Sequence, residues 1–261
     1  MFYFDRSVAD IAEIQAFVEA SMISAGYTKD YEVGNAVGFK ITNEIVETGS
    51  EAFFTPIFIF NAGEVVLTLA RETTTSTATG LIPEINAPKI SSLVGPFQTY
   101  LVATSKGTAL QIIDAANTRK VLVAATIDYR VLDTGIIDGT PAHRTQLRNN
   151  GQCVFGSDDI QAGRLLYAGT IANQALFNEQ MTLDNLYPNV SPRVSPQSNS
   201  IPVGTVMAMA STDKFFGQLS GIYLTKSTPI GNLDIGVDTA SIPHRCLRDS
   251  DNGQAILVRE V

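Results

Sequence analysis

Covalent chemistry in this chain would begin from Cys153 or Cys246, its two cysteines, with His143 or His244, its two histidines, as the base. A thiol becomes a nucleophile when a neighbouring group takes its proton, and the same four residues would be the first candidates for a zinc site. Neither pairing has the required pattern. His143 and Cys153 are separated by nine residues, and His244 and Cys246 by one, which are not the usual ligand spacings. Cys153 reads as a small buried apolar residue and His143 as a loop residue. A serine nucleophile fares no better. Gly217-Gln218-Leu219-Ser220-Gly221 sets its serine one place off the sharp strand-to-helix elbow that exposes such a hydroxyl.

Phosphate cradles and acidic sites are tested in the same way. There is no Gly-rich loop ending in Gly-Lys-Ser/Thr, and no G-x-G-x-x-G follows a strand into a helix. Asp158-Asp159 is a bare carboxylate pair. The run from Asp133 through Asp138 to Gly139 lacks the ligand density of a calcium loop and reads as a turn. The Asn189-Val190-Ser191 sequon is followed directly by Pro192 and carries little meaning without a secretory leader. The residues therefore predict no catalytic, cofactor-binding or metal site, no cofactor, and a protein that is not an enzyme.

Composition narrows the partners. Eighteen Lys+Arg against 26 Asp+Glu give a net charge of −8, with no basic cluster to bind phosphates. No sequence-specific nucleic-acid partner is expected. No apolar run approaches the roughly 20 residues of a membrane helix, and Met1-Phe2-Tyr3-Phe4-Asp5 has neither the basic start nor the core of a secretory leader. Apolar residues at 44% and charged residues at 17% predict a folded, non-secreted, soluble chain with no membrane partner. Trp is absent and aromatics are 8%, so no stacking platform for sugars is suggested.

The elements that would carry such a protein follow from periodicity. Val8, Ile11, Ile14, Val18, Met22 and Ala25 recur at three- and four-residue steps and predict a helix over 7–25. Ser7 with Asp10 resembles its capping box, Gly26 its stop, and Glu13, Gln15 and Glu19 its solvent face. Runs rich in Thr, Val, Ile and Phe then predict strands over 37–46, 56–61, 65–71, 99–104, 109–114 and 120–129. Further strands are expected over 203–210, 219–225 and 254–259. Asn61-Ala62-Gly63 marks a hairpin turn. The stretch 53–60, apolar on both faces, is a strand buried twice, either within the chain or under another subunit. Two stretches are set outside the core: the Thr-rich run 73–80, and the Pro-rich arm at about 186–202 with Pro188, Pro192, Pro196 and Pro202. The expected fold is α+β, mainly β. It is one main domain over 1–261 with an antiparallel strand-rich core (sandwich or barrel-like), an N-terminal helix and extended loop arms.

The layout resembles virion structural proteins of tailed bacteriophages. It runs from a short helix into a strand-rich core. An apolar strand pair follows at Tyr100-Leu101-Val102-Ala103 and Arg119-Lys120-Val121-Leu122, and then a long loop region. The chain closes on Leu219-Ser220-Gly221-Ile222, Asp234-Ile235-Gly236 and Ala255-Ile256-Leu257-Val258. An aromatic, proline-tyrosine loop expected after the middle pair is missing. The resemblance implies a tail, neck or baseplate component, made in the host cytoplasm and located in the virion. Its partners would be copies of itself in a ring and other virion proteins of the tail, neck or baseplate. The alternatives are a small-ligand or carbohydrate-binding module, or a cytoplasmic enzyme with a dispersed site.

Overall fold

The aromatic run at the start of the chain makes a strand, β1 (Phe2–Val8), before the helix α1 (Ile11–Ser24) begins. This corrects the expected start at residue 7. The aromatic run Phe2-Tyr3-Phe4 and the β-branched Val8 favour an extended chain, and the cap lies three residues later than Ser7. Asp10 has extended backbone (φ −147°), and its carboxylate accepts the Glu13 N–H at 2.9 Å. Glu13 in turn accepts the Ala9 N–H at 2.8 Å, so two orphan donors are satisfied reciprocally. The helix ends as Gly26 predicts. With Gly26 at φ +90°, its N–H reaches the Ile23 carbonyl (3.0 Å) and the Tyr27 N–H reaches that of Met22 (3.0 Å), a Schellman motif.

The structure, a computed structural model, describes residues 1–43, 52–70, 72–79, 81, 84–128, 152–156, 159–166, 179–182, 204–211, 214–225, 231–237, 243–248 and 255–259. After the helix come β2 (Thr28–Val33), β3 (Ala36–Asn43), β4 (Ala52–Phe54), β5 (Pro56–Asn61) and β6 (Glu64–Leu69). The small hairpin β7 (Glu72–Thr74) and β8 (Thr77–Thr79) follows, then a 3-10 turn at Glu84–Asn86 and β9 (Lys89–Ile90). The middle of the chain gives β10 (Phe97–Thr104), β11 (Gly107–Ile113), β12 (Arg119–Asp128), β13 (Gln152–Gly156), β14 (Asp159–Leu166) and β15 (Glu179–Thr182). The last described part gives β16 (Gly204–Ser211), β17 (Lys214–Thr225), β18 (Ile235–Val237), β19 (Pro243–Arg248) and β20 (Ala255–Arg259).

These pair into three antiparallel sheets. The large one runs β1-β10-β11-β12-β17-β20-β19-β18, with β13, β14 and β15 extending from β12, and β16 from β17. A second runs β2-β3-β5-β6-β9, with β4 on β3; β7 and β8 make the third. The antiparallel, strand-rich α+β architecture expected from the sequence is present. The turn at Ala62-Gly63 closes the β5–β6 hairpin, with Gly63 at φ +73°.

Register explains how the layers stack. Opposite residues of antiparallel strands share a face, and neighbours along a strand alternate. Leu101, Leu110 and Leu122 are cross-strand partners, and Ala124 pairs with Val154, so all face one way. They join the core formed with the Ile14, Val18 and Met22 stripe and with Phe39, Phe58 and Leu67 of the second sheet. Val102, Ala109, Val121, Val123, Cys153 and Phe155 lie on the opposite face and are buried as well. The C-terminal strands lie on that side. Arg245 of β19 stacks over the Tyr3 ring at 4.1 Å. The Gln111 amide of β11 donates to the Arg248 carbonyl (2.8 Å) and to Asn232 Oδ1 (2.9 Å).

The helix therefore lies between two sheets, touching β1 and β10 on one side and β2 and β5 on the other. Its expected solvent face is also partly engaged, since Glu19 accepts hydrogen bonds from Gln15 (2.9 Å) and Lys29 (2.8 Å). Phe54, Ile57, Phe58, Ile59 and Phe60 are buried within the chain itself, so the twice-buried strand needs no second subunit to cover it. The Thr-rich run leaves the core as expected, with residues 74–77 exposed, but it is ordered. It forms the β7–β8 hairpin, tied to β2 by Thr73, whose hydroxyl bonds the Asp30 carboxylate at 2.8 Å. Serial threonines suit a strand, which a reading by complexity alone discards. The arm at 186–202 lies outside the described residues.

The helix stripe yields a direct test. Ile14 is fully buried, and such side chains contribute roughly 1.5–3 kcal/mol each. Ile14→Asp is expected to unfold or aggregate the protein in thermal melting. Ala16→Lys, at an exposed position of the same helix, should shift stability by under about 0.5 kcal/mol.

Candidate functional site

The structure places some of the residues singled out for chemistry. Cys153 sits in β13, opposite Ala125 and Leu165, and is fully buried. His244 and Cys246 lie two apart in β19, on one face, paired with Arg259 and Leu257. Both are buried. Burial pushes both thiols up from their ordinary range, which keeps them protonated near neutral pH. Asp159 opens β14 and Ser220 lies within β17. His143, Asp158 and the 133–139 run lie outside the described residues. Among the described residues, no three His, Cys, Asp or Glu side chains come together to hold a metal.

The surface instead presents a groove of about 410 Å³ where β1 meets α1. Tyr3, Phe4 and Asp5 of β1 form one wall; Phe17, Ala20, Ser21 and Ser24 of α1 form the other. Both walls follow from local rules. The two cap bonds at Asp10 set the angle between strand and helix. The close approach of Gly95 to Ala9, where a Cβ would lie 2.1 Å from the carbonyl oxygen, locks the connection. The helical wall reads 17, 20, 21 and 24, one face at three- and four-residue steps.

The strand wall is an edge. Among the described residues β1 pairs with β10 alone, over the full register from Phe2↔Ala103 to Val8↔Phe97. Its two sides differ in character. Phe2 and Phe4 stack on the helix side with ring centres 6.4 Å apart. On the other side Tyr3 stacks on Tyr100 and lies under the Arg245 guanidinium. The Tyr3 phenol is pushed up to about 12, by burial first and then by the Asp5 carboxylate, against the opposing effect of Arg245. A neutral phenol and a carboxylate in a groove of mixed polarity are suited to hydrogen bonding and packing, and poorly suited to proton transfer at neutral pH.

Sequence reasoning passed over this place. Phe2-Tyr3-Phe4-Asp5 is inspected above only for the marks of a secretory leader. Its run of three aromatic residues, a type enriched in strands, was the available signal. The partner wall was visible as the helix, but Phe17 was left off the expected apolar stripe, although it is buried.

The buried thiols supply the measurement here. In the native protein Cys153 and Cys246 should resist a thiol-specific reagent, and both should react once denaturant is added. Rapid native labelling of either would contradict their burial.

Compared with known proteins, the chain matches no family model and no curated protein sequence.

Proposed function

We propose that this protein is a structural component of a tailed-bacteriophage virion, a tail, neck or baseplate protein that packs in a ring with copies of itself and against neighbouring virion proteins. The observation that carries the reading is a set of exposed apolar side chains lying toward both ends of β1. At one end Phe2 is 48% exposed and Ile23 53%. Near the other, Ile85 is 91% exposed and Val94 71%. Gly95 abuts Ala9, which places Val94 at the far end of a seven-residue strand that spans roughly 20 Å. Ile85 stands on the 3-10 turn that Glu84 anchors to Asn61 at 2.6 Å.

Two unlike surfaces are what a head-to-tail interface needs. Each subunit offers one surface to the neighbour ahead and a different one to the neighbour behind, and rotation closes the ring. Covering such side chains in a subunit contact would release water and favour association. The layered core also supports the reading, because a sheet covered on both faces holds its edges and tips rigidly. In this reading the protein is made in the host cytoplasm and ends in the virion.

The native mass of the full chain tests it. Light scattering coupled to size exclusion should give an integral multiple of the chain mass, and negative-stain images should show closed rings. Val94→Asp should reduce the assembled fraction at least tenfold while leaving the melting temperature unchanged. A protein that stays monomeric from micromolar concentration upward, alone and in the lysate of infected cells, would overturn the proposal.

A further inference from the structure

From the pattern of the Pro-rich segment and the character of the β1–α1 groove, we infer that the groove is a strand-addition site for residues 190–194 of a neighbouring copy of this chain. The inference deepens the assembly reading above and rests on it.

The groove has the two parts that strand addition requires. One is an edge with unpaired backbone groups, since β1 has a single partner among the described residues. The other is a pair of sides that differ across the strand: Phe4, Phe17 and Ala20 with Ser21 and Ser24 on the helix side, and Tyr3 with the one carboxylate, Asp5, on the outer side. The helical wall from Phe17 to Ser24 covers roughly 10 Å, the length of three or four extended residues.

The segment carries the complementary pattern. In an extended chain, residues two apart point their N–H groups to the same edge and their side chains to the same face. Pro188, Pro192, Pro196 and Pro202 all fall on even positions. The missing donors therefore lie on one edge, and the odd residues keep every N–H for pairing on the other. A strand built this way joins a sheet through one side and ends it, which is where proline is tolerated in sheets. The faces divide in the same register. Val190, Pro192, Val194 and Pro196 form an apolar face. Asn189, Ser191, Arg193, Ser195 and Gln197 form a polar one, with Arg193 the only charge in 186–202. Seated on β1, the valines meet Phe4 and Ala20, and Arg193 falls on the side of Asp5. Apolar meets apolar, and the one cation meets the one carboxylate lining the groove.

The full chain carrying Asp5→Cys and Arg193→Cys tests this, since the native Cys153 and Cys246 are buried. A disulfide requires Cα atoms within about 7 Å. Mild oxidation should give covalent dimers and a ladder of higher species on non-reducing gels. The single variants, and Asp5→Cys with Val194→Cys on the opposite face, should not. In the charge series, Asp5→Arg should reduce the assembled fraction at least tenfold, and Asp5→Arg with Arg193→Asp should restore it. If the protein has an oligomeric mass and the cysteine pair forms no intermolecular disulfide, the groove assignment is overturned and the assembly reading stands. A monomeric protein overturns both, whether or not a disulfide forms within the chain.

Discussion

Burial of one sheet on both of its faces governs the rest of this structure. Strands β10, β11 and β12 bury apolar side chains on both faces, among them Leu101, Leu110 and Leu122 on one and Val102, Ala109 and Val123 on the other, so each face needs its own cover. One face receives the helix stripe and the second sheet; the other receives β19 and β20. Neither cover is optional, because exposing either would return several large side chains to water at roughly 25 cal/mol per Å². The chain's order follows from this. An N-terminal strand and helix, a small meander and a C-terminal set of strands all return to the same central sheet.

Layers held by apolar contact alone can slide. Here polar groups fix their relative positions. Gln111 is fully buried, yet its amide is matched on both atoms: Nε2 donates to the Arg248 carbonyl and to Asn232, and the Asn232 amide donates back to Oε1 at 3.0 Å. That arrangement ties β11 to the strand layer above it. Across the other face, the Tyr27 hydroxyl donates to the Thr104 carbonyl, joining the helix exit to β10. Thr55 sits at the break between β4 and β5, where its hydroxyl bonds the Ala70 carbonyl and its N–H reaches Gln152 at 3.2 Å. A buried polar group without a partner costs on the order of 1–3 kcal/mol. Each of these matches therefore selects one alignment of the layers over its neighbours.

Much of this fold was legible in the sequence, and the gaps have physical causes. Strands such as β5, β6, β11 and β12 announce themselves because β-branched and aromatic residues fill them and Gly or Asn separates them. The hairpin at Ala62-Gly63 was legible for the same reason. Residues 2–8 were missed because Val8 and Ser7 fit a helical stripe as well as a strand, and only the bond between Asp10 and Glu13 decides where the helix begins. The β7–β8 hairpin was missed because its anchor, Asp30, lies 43 residues away from Thr73. Pairing at that separation is a tertiary fact. The groove between β1 and α1 was illegible on the same ground, since it exists only once strand and helix are both placed.

An edge strand with aromatic side chains is a liability that folded proteins normally blunt. Here β1 has Asp5 and Arg6 at its centre, adjacent in sequence and therefore pointing to opposite faces. A second copy of β1 added around a twofold axis perpendicular to the sheet must place residues of equal parity opposite one another. Centred on Asp5 it would oppose two carboxylates; centred on Arg6, two guanidinium groups. The centre of β1 thus disfavours self-pairing in those two registers while leaving its backbone open to a strand of different sequence. A uniformly apolar edge would pair with any extended chain, and a fully charged one with none. The mixture found in β1 selects by charge and by face, which is the discrimination that a surface must have if many identical chains are to meet in one geometry.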